Sequence, residues 1–469
     1  MNPQVSVISG EQMRMQRECA QQVRALAERP QSYHIVTFGC QMNVHDSEKM
    51  SGMLQRMGME AAASREDADL VLFNTCCIRE NAERKALGNI TWLKELKKGK
   101  PRLMIGVCGC MMQQQGMAQN ILKKYPFVDL AFGTGDFYRL PELLLKALQS
   151  SQRVVEVGDN PSTLFEDVPV QRESAHKAYV AIAHGCDNFC SYCIVPYVRG
   201  RERSREADQI VQEVEQLVAS GVQEVTLLGQ NVNSYGQDRG DLDFAGLLKR
   251  VSQTGIPRIR FMTSHPKDLS DALIEQMAVN ANICPHLHLP VQSGSNAILK
   301  AMNRRYTVET YLQRVESLRR AVPHIGLTTD LIVAFPGETE QDFEDTLALV
   351  RHVRFDSAFT FVYSPRVGTK AASMPGQIPP EVGSQRIERL IALQEGITTN
   401  VLNSLFGSTQ HVLVDGTARR REHLTGKSGR NISVNFPGDT ALIGRIVPVT
   451  ITGAGSNTLR GRIQEGETP

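Results

Sequence analysis

His184-Gly185-Cys186-Asp187-Asn188-Phe189-Cys190-Ser191-Tyr192-Cys193 is the stretch on which the reading of this chain turns. Three thiols within eight residues can ligate three irons of a cubic [4Fe-4S] cluster, and the loop supplies no fourth cysteine, so one iron is left open. An open coordination position belongs to a working site rather than a structural one. Zinc is the rival: the three sulfurs with His184 would make a closed Cys3His site, although structural zinc ligands ordinarily come as two pairs across a spacer. A two-cluster ferredoxin would need a longer run ending in Cys-Pro, which is absent here.

Working outward, the apolar run Ala178–Ala183 reads as the strand that delivers this loop. Further strand patterns follow at Glu224–Leu228, Arg258–Met262, His286–Leu289, Gly326–Ala334 and Ser357–Tyr363, with helical patterns such as Glu206–Ser220 and Glu340–His352 between them. The class is therefore α/β, and residues 172–405 are expected to form a partial (β/α)6 barrel whose carboxyl-end loops carry the chemistry. Those loops are Gln230-Asn231-Val232-Asn233, Ser264-His265-Pro266, Val291-Gln292-Ser293-Gly294 and Phe335-Pro336-Gly337-Glu338. Any one of them alone reads as ordinary turn punctuation.

Upstream, after a polar helical leader over residues 1–31, residues 32–150 alternate strand and helix. Strands are expected at Tyr33–Phe38, Leu70–Phe73 and Leu103–Val107, and helices at Asn43–Met57, Arg79–Lys97 and Gln113–Lys124, which gives a parallel α/β domain. Cys40, Cys76 and Cys110 each fall just past one of these strands, on the edge where open α/β sheets bind ligands. A buried cysteine is by itself a small hydrophobe, but the same position three times running points to a second three-thiolate site. Cys77 and Cys108, beside two of these positions, are not excluded by spacing.

Residues 406–469 change character. Val412–Val414, Ile432–Asn435 and Arg445–Ile451 read as short strands between Gly-rich turns, which fits a small antiparallel β-barrel of the oligonucleotide-binding kind. This region has eight Lys/Arg against five Asp/Glu, including Arg419-Arg420-Arg421, so it is the place to expect RNA. The whole chain of 469 residues has a formal net charge of only +2, and an acidic partner must be met by such a local patch. No apolar run is long enough to span a bilayer and no h-region precedes residue 30, so a soluble cytoplasmic protein with no membrane partner is expected. Its ten cysteines are then expected as thiols or metal ligands rather than disulfides.

Taken together, these residues resemble the methylthiotransferase family of radical S-adenosylmethionine enzymes over nearly the whole chain. The resemblance rests on Thr37-Phe38-Gly39-Cys40-Gln41-Met42-Asn43 with Asp46-Ser47-Glu48, and on Asn74-Thr75-Cys76 with Ile78-Arg79-Glu80. It continues through the Cys-x3-Cys-x2-Cys loop, which runs by Ile194-Val195-Pro196-Tyr197 to Arg199-Gly200-Arg201-Glu202-Arg203-Ser204-Arg205, and into a C-terminal domain of the TRAM type.

The resemblance implies two [4Fe-4S] clusters and S-adenosyl-L-methionine as cofactors. Cys186, Cys190 and Cys193 would be the catalytic set, holding the cluster whose open iron chelates S-adenosylmethionine and whose electron breaks it to methionine and a 5′-deoxyadenosyl radical. Tyr192 takes the aromatic position expected beside the adenine, although loop packing would also explain it. Cys40, Cys76 and Cys110 would hold the auxiliary cluster that presents the sulfur, leaving Cys77 and Cys108, like Cys19 and Cys284, to packing. The implied substrate is tRNA carrying N6-dimethylallyladenosine next to the anticodon (nucleotide 37), which would gain a methylthio group at carbon 2 of the base. Sister branches acting on threonylcarbamoyl-adenosine or on a ribosomal-protein aspartate typically carry Lys-Val-Asn or Pro-Lys-Asn where this chain has Gln41-Met42-Asn43. The implied partners are a reducing flavodoxin-like or ferredoxin-like donor and tRNA, with the enzyme a monomer.

Two points depart from the pattern or stay unassigned. Many radical S-adenosylmethionine enzymes have Gly-Gly-Glu where this chain has Gly229-Gln230-Asn231, and Asp46 and Glu48 read as acidic residues favouring a helix dipole. A reading from another class, a non-catalytic iron-sulfur RNA-binding sensor, would need no S-adenosylmethionine pocket.

Overall fold

The run Leu70–Thr75 is buried at every position, as a strand covered on both faces must be. In the computed structural model, which describes residues 8–77, 80–150, 152–158, 168–418 and 423–464, it lies inside a six-stranded sheet. The strands are β1 (Ser32–Thr37), β2 (Glu60–Ala61), β3 (Leu70–Thr75), β4 (Met104–Gly109), β5 (Leu130–Phe132) and β6 (Val154–Glu156), in the order β2-β1-β3-β4-β5-β6. All pairings are parallel. The three strands expected from sequence are present, while β2, β5 and β6 are too short to leave a periodic pattern.

Successive side chains of β3 alternate between two cores. Leu70 and Leu72 pack with Tyr33, Met50, Leu54 and Phe132 on one face, and Val71 and Phe73 pack with Ile90, Ile105 and Val107 on the other. Helices Gln41–Arg56 and Glu80–Gly99 follow β1 and β3. The helix expected over Gln113–Lys124 spans only Met117–Lys124, because Gly116, in left-handed backbone at φ 75°, starts it late. The leader forms a helix at Gly10–Ala25, opened by a Ser9–Gln12 capping box, and Gln16 donates to Glu142 at 2.9 Å.

The chain divides into two compact parts. The first comprises Met1–Glu173 with Ala183–Phe189 and Cys193–Arg203; the second comprises Ser174–Ile182, Cys190–Tyr192 and Ser204–Pro469. After β7 (Lys177–Ala181) come the two-residue strands β8 (Ala183–His184) and β9 (Arg203–Ser204). The second part then contains β10 (Glu224–Leu228), β11 (Arg258–Phe261), β12 (His286–His288), β13 (Gly326–Val333) and β14 (Ser357–Val362). These strands form two parallel three-stranded sheets, β11-β10-β7 and β12-β13-β14, joined at the isolated bridge Ile259–Ile283. The six expected barrel strands are thus all present, with the thinnest pairing midway.

The C-terminal barrel is closed: β15 (Thr409–Thr417), β16 (His423–Ser428), β17 (Ser433–Pro437), β18 (Ile446–Ala454) and β19 (Thr458–Ile463) run in the order β15-β16-β17-β19-β18. It is antiparallel except for the β17–β19 seam, which is parallel and could not be read from three recognised strands. Its base is tied to the larger barrel by Arg258 and Arg260. They donate to the carbonyls of Lys427, Ser428 and Gly429 at 2.6–3.0 Å and share the buried Glu224 carboxylate.

Candidate cofactor sites

β1, β3 and β4 are neighbours pointing the same way, so the turns that follow them emerge on one edge of the first sheet. Cys40 caps the helix after β1, Cys76 follows β3 directly, and Cys110 follows β4, its N–H donating to Thr75 O at 3.0 Å. The turns after β1 and β3 are tied together by Asn43, whose Nδ2 donates to Phe38 O at 2.9 Å and Thr75 O at 3.1 Å. Asn74 in turn donates to Asn43 O at 2.8 Å. Gly39 makes the close approach possible: at φ +119° a Cβ there would lie 2.6 Å from Cys76 Cβ.

Cys76 and Cys110 are buried and Cys40 is partly exposed. Burial pushes the Cys110 thiol up to about 12, against the pull of Arg199, with Cys76 and Cys40 each raising it further, so the three sulfurs lie in one another's field. Arg199 is the unexpected member. Its Nε donates to Cys110 Sγ at 3.2 Å, an Nη donates to Asn43 Oδ1 at 2.9 Å, and Asp46 Oδ2 lies 2.7 Å away. Burial pulls its pKa down, but the Asp46 and Cys110 charges outweigh that and leave it raised, a fixed cation beside a thiol.

Cys108 and Cys110, two apart, would share a face of a regular strand. Gly109, at φ +97°, breaks the alternation. Cys108 joins the core of Tyr33 and Leu72, with its Sγ 3.8 Å from Met50 Sδ, and Cys110 joins the opposite core. Cys77 is wholly buried in that second core. Burial pushes both Cys77 and Cys108 well up. Asp46 and Glu48 do not serve the helix dipole as expected, because the helix begins at Gln41 and neither lies in its first turn; both are buried, the first on Arg199 and the second accepting from the Glu173 N–H at 3.3 Å.

Among the described residues no three His, Cys, Asp or Glu side chains converge on a point suited to a single metal ion. A cubic cluster takes each thiolate on a different iron, so it asks for thiols around a volume rather than at a point. Three thiols on one sheet edge, with a cation to balance them, fit that demand.

The Cys186–Cys193 loop is divided between the two parts. In the first, Cys186 N donates to Gly200 O at 3.1 Å and Asn188 Nδ2 lies 3.5 Å from Cys186 Sγ. Gly185 at φ +77° is needed because a Cβ would fall 2.0 Å from Arg201 O. Asp187 secures the turn by pairing with Arg201 at 2.7 Å and accepting from the Glu202 N–H at 3.1 Å. Cys193 is partly exposed.

In the second part, Cys190 is buried and receives Arg304 Nη1 at 3.4 Å, while the same guanidinium holds Pro290 O at 2.8 Å and Tyr306 Oη at 3.0 Å. Ser191 is pinned to Ala301 O and Met302 O. Tyr192 packs, partly buried, against the cluster of Ile298, Met302, Phe335 and Ala371.

The loops after β10, β11 and β13 hold buried polar atoms without hydrogen-bond partners: Gln230 Oε1, Asn231 Oδ1, both side-chain amide atoms of Asn233, Ser264 Oγ, His265 Nε2 and Glu338 Oε1. Each such atom costs about 1–3 kcal/mol unless water or a ligand satisfies it. Non-glycine residues in left-handed backbone occur after β11, β12 and β13, at Thr263 (φ 68°), Gln292 (φ 73°) and Ala334 (φ 58°), which is strain of the kind found at ligand sites. Burial and the Arg304 charge push His265 far down, so it is a neutral ring. Glu338 is fixed by the Ala334 N–H at 2.6 Å and Arg386 at 2.7 Å, leaving Oε1 unused. A small polar ligand with amino, carboxylate and hydroxyl groups fits this set. The four loops singled out from sequence are thus placed at carboxyl ends, whereas Arg199 and Arg304 gave no signal of their own. The run Arg419-Arg420-Arg421 lies outside the described residues.

No helix of the described residues is long and apolar enough to cross a membrane. Three family profiles match: the Uncharacterized protein family UPF0004 over residues 32–133, the Radical SAM superfamily over 180–350 and the TRAM domain over 404–463. The chain is 52% identical over 434 residues to a tRNA-2-methylthio-N(6)-dimethylallyladenosine synthase of Caldicellulosiruptor saccharolyticus, covering 92% of each chain. It is 48% identical over 466 residues to the protein of the same name from Acetivibrio thermocellus, covering 97% of each. Among solved structures, a radical S-adenosylmethionine methyltransferase from Kitasatospora setae with cobalamin and a [4Fe-4S] cluster bound has the same fold over 73% of this chain and 77% of that one, with a TM-score of 0.53 and 14% identity.

Proposed function

This chain belongs to the tRNA-2-methylthio-N(6)-dimethylallyladenosine synthase family, and on that premise we propose how its residues divide the work of a radical S-adenosylmethionine methylthiotransferase. It is a transferase that converts N6-dimethylallyladenosine in tRNA to the 2-methylthio derivative. One observation carries the division of labour: six of the ten cysteines fall into two separate threes, one on the edge of the first parallel sheet and one on the loop after β8.

Cys186, Cys190 and Cys193 hold one [4Fe-4S] cluster and Cys40, Cys76 and Cys110 hold the other. When bound, the first supplies the electron that cleaves S-adenosylmethionine and the second supplies the site for the sulfur. The chain's own residues bind and orient. Arg304 joins Cys190 to the Pro290 turn after β12 and so orients that thiol. Asn231, Asn233, Ser264, His265 and Glu338 offer the unpaired polar atoms that hold S-adenosylmethionine, standing in for the Gly-Gly-Glu motif absent here. Tyr192, anchored on an apolar cluster, provides the flat face beside the adenine. Because these groups are buried, the site excludes water that would otherwise compete for a reactive intermediate.

The C-terminal barrel supplies affinity for tRNA rather than chemistry. The enzyme works in the cytoplasm as a monomer with a flavodoxin-like or ferredoxin-like electron donor. The experiment is anaerobic reconstitution of the full chain with iron and sulfide, then incubation with S-adenosylmethionine, dithionite and tRNA bearing dimethylallyladenosine. Formation of 5′-deoxyadenosine together with the methylthio nucleoside is expected. Iron-loaded protein that binds tRNA but makes neither product would be a sensor, contrary to this proposal.

A further inference from the structure

Arg199 carries a charge that is almost wholly buried. Its hydrogen-bond and ion-pair partners belong to the first thiol site: Cys110 Sγ at 3.2 Å from Nε, Asn43 Oδ1 at 2.9 Å and Asp46 Oδ2 at 2.7 Å. Through Asn43, which also grips Phe38 O and Thr75 O, the guanidinium is one bond removed from the turns bearing Cys40 and Cys76. The arm that carries it is fixed: Ile194 and Val198 lie in the core beneath the sheet, and Thr134 Oγ1 donates to Val198 O at 2.6 Å. A cluster held by three thiolates is anionic and becomes more so on reduction. Hydrogen bonds and positive charge at the ligand sulfur favour the reduced form.

Resting on the two-cluster reading above, we propose that Arg199 is a positioning residue of the auxiliary site: it orients Cys110 and, by its charge and its hydrogen bond to Sγ, stabilises the reduced state of the cluster bound by Cys40, Cys76 and Cys110. Asp46 and Asn43 set the angle of the guanidinium fork, whose planar donors allow the carboxylate, the amide and the sulfur to be engaged together. A lysine would keep the charge and lose most of that geometry.

The test uses the full chain, reconstituted anaerobically as wild type, as Arg199→Lys, and as the charge-balanced pair Arg199→Met with Asp46→Asn, which leaves no buried carboxylate unpaired. Reductive titration with dithionite, followed by electron paramagnetic resonance, reads the midpoints of both clusters. The signal that changes on adding S-adenosylmethionine belongs to the Cys186–Cys193 loop, and the other is the auxiliary one. In the charge-balanced pair the auxiliary reduction equilibrium should fall at least tenfold, about 59 mV for one electron, with an intermediate fall in Arg199→Lys and no change in the other cluster. One folded, loaded variant suffices to decide. An unshifted auxiliary midpoint overturns the proposal, and so does loss of fold or of iron from both variants, which would make Arg199 a structural ion-pair partner. A wild-type chain that binds one cluster only would defeat the two-cluster reading instead.

Discussion

Asp46 Oδ2 stands 2.7 Å from the Arg199 guanidinium with both side chains almost wholly buried, so the segment following Cys193 is fastened to the helix following Cys40 by an ion pair out of water. Removing one partner of such a pair leaves the other charged and unsolvated. Asp46→Ala should therefore destabilise the protein by about 3–5 kcal/mol, read as a lower urea midpoint by circular dichroism. A change within about 0.5 kcal/mol, the level of a typical surface substitution, would contradict the pairing.

Glu48 makes a second, pH-dependent statement. Burial pushes its carboxyl from 4.5 up to about 7, against the Glu173 N–H and the Arg172 charge that pull it down and with the Glu173 carboxylate pushing the same way; His45 Nδ1 lies 3.7 Å away. The folded protein then holds this proton more tightly than the unfolded chain. Its contribution is fully present below about pH 4.5 and is lost as the pH rises through about 7. Glu48→Gln should flatten that decline in urea midpoints measured across this window. An unchanged slope would mean that Glu48 does not titrate there.

Iron stoichiometry separates the two thiol sets. Reconstituted protein should bind about eight irons, four per cluster, and simultaneous change of Cys186, Cys190 and Cys193 to Ala should remove half. Loss of all the iron, or of none, would contradict two independent sites.

For the C-terminal barrel, neutralising Arg419, Arg420 and Arg421 should weaken tRNA binding and reduce its salt dependence by roughly one unit of slope per lost phosphate contact. Cleavage of S-adenosylmethionine without RNA should be unaffected. An unaltered slope would return this run to being a solvated basic surface.

Much of this was legible in the chain, and the parts that were not have physical reasons. β3 and β4 announce themselves because a parallel sheet covered on both faces demands nearly unbroken apolar runs, and β1, with only Tyr33 buried, shows as a shorter one, whereas β5 and β6, three residues each, give periodicity nothing to act on. Spacing could not rank Cys108 against Cys110; the backbone of Gly109 sends their side chains into opposite cores. Arg199 was hidden in plain view. It opens the basic run Arg199–Arg205, quoted above for the family resemblance alone, in which Arg199, Arg203 and Arg205 are buried and Arg201 is exposed. The unpaired amides and hydroxyls after β10 and β11 were visible as loops but not as a ligand cradle, because a missing hydrogen bond exists only in three dimensions.

The most direct test of the central claim, that one thiol set serves radical formation and the other serves sulfur insertion, is product analysis of two single variants shown by circular dichroism to be folded. Incubated anaerobically with S-adenosylmethionine, dithionite and tRNA bearing dimethylallyladenosine, Cys110→Ala should still make 5′-deoxyadenosine and no methylthio nucleoside. Cys190→Ala should make neither. A folded Cys110→Ala enzyme that still methylthiolates tRNA would contradict the account and remove Cys110 from the site.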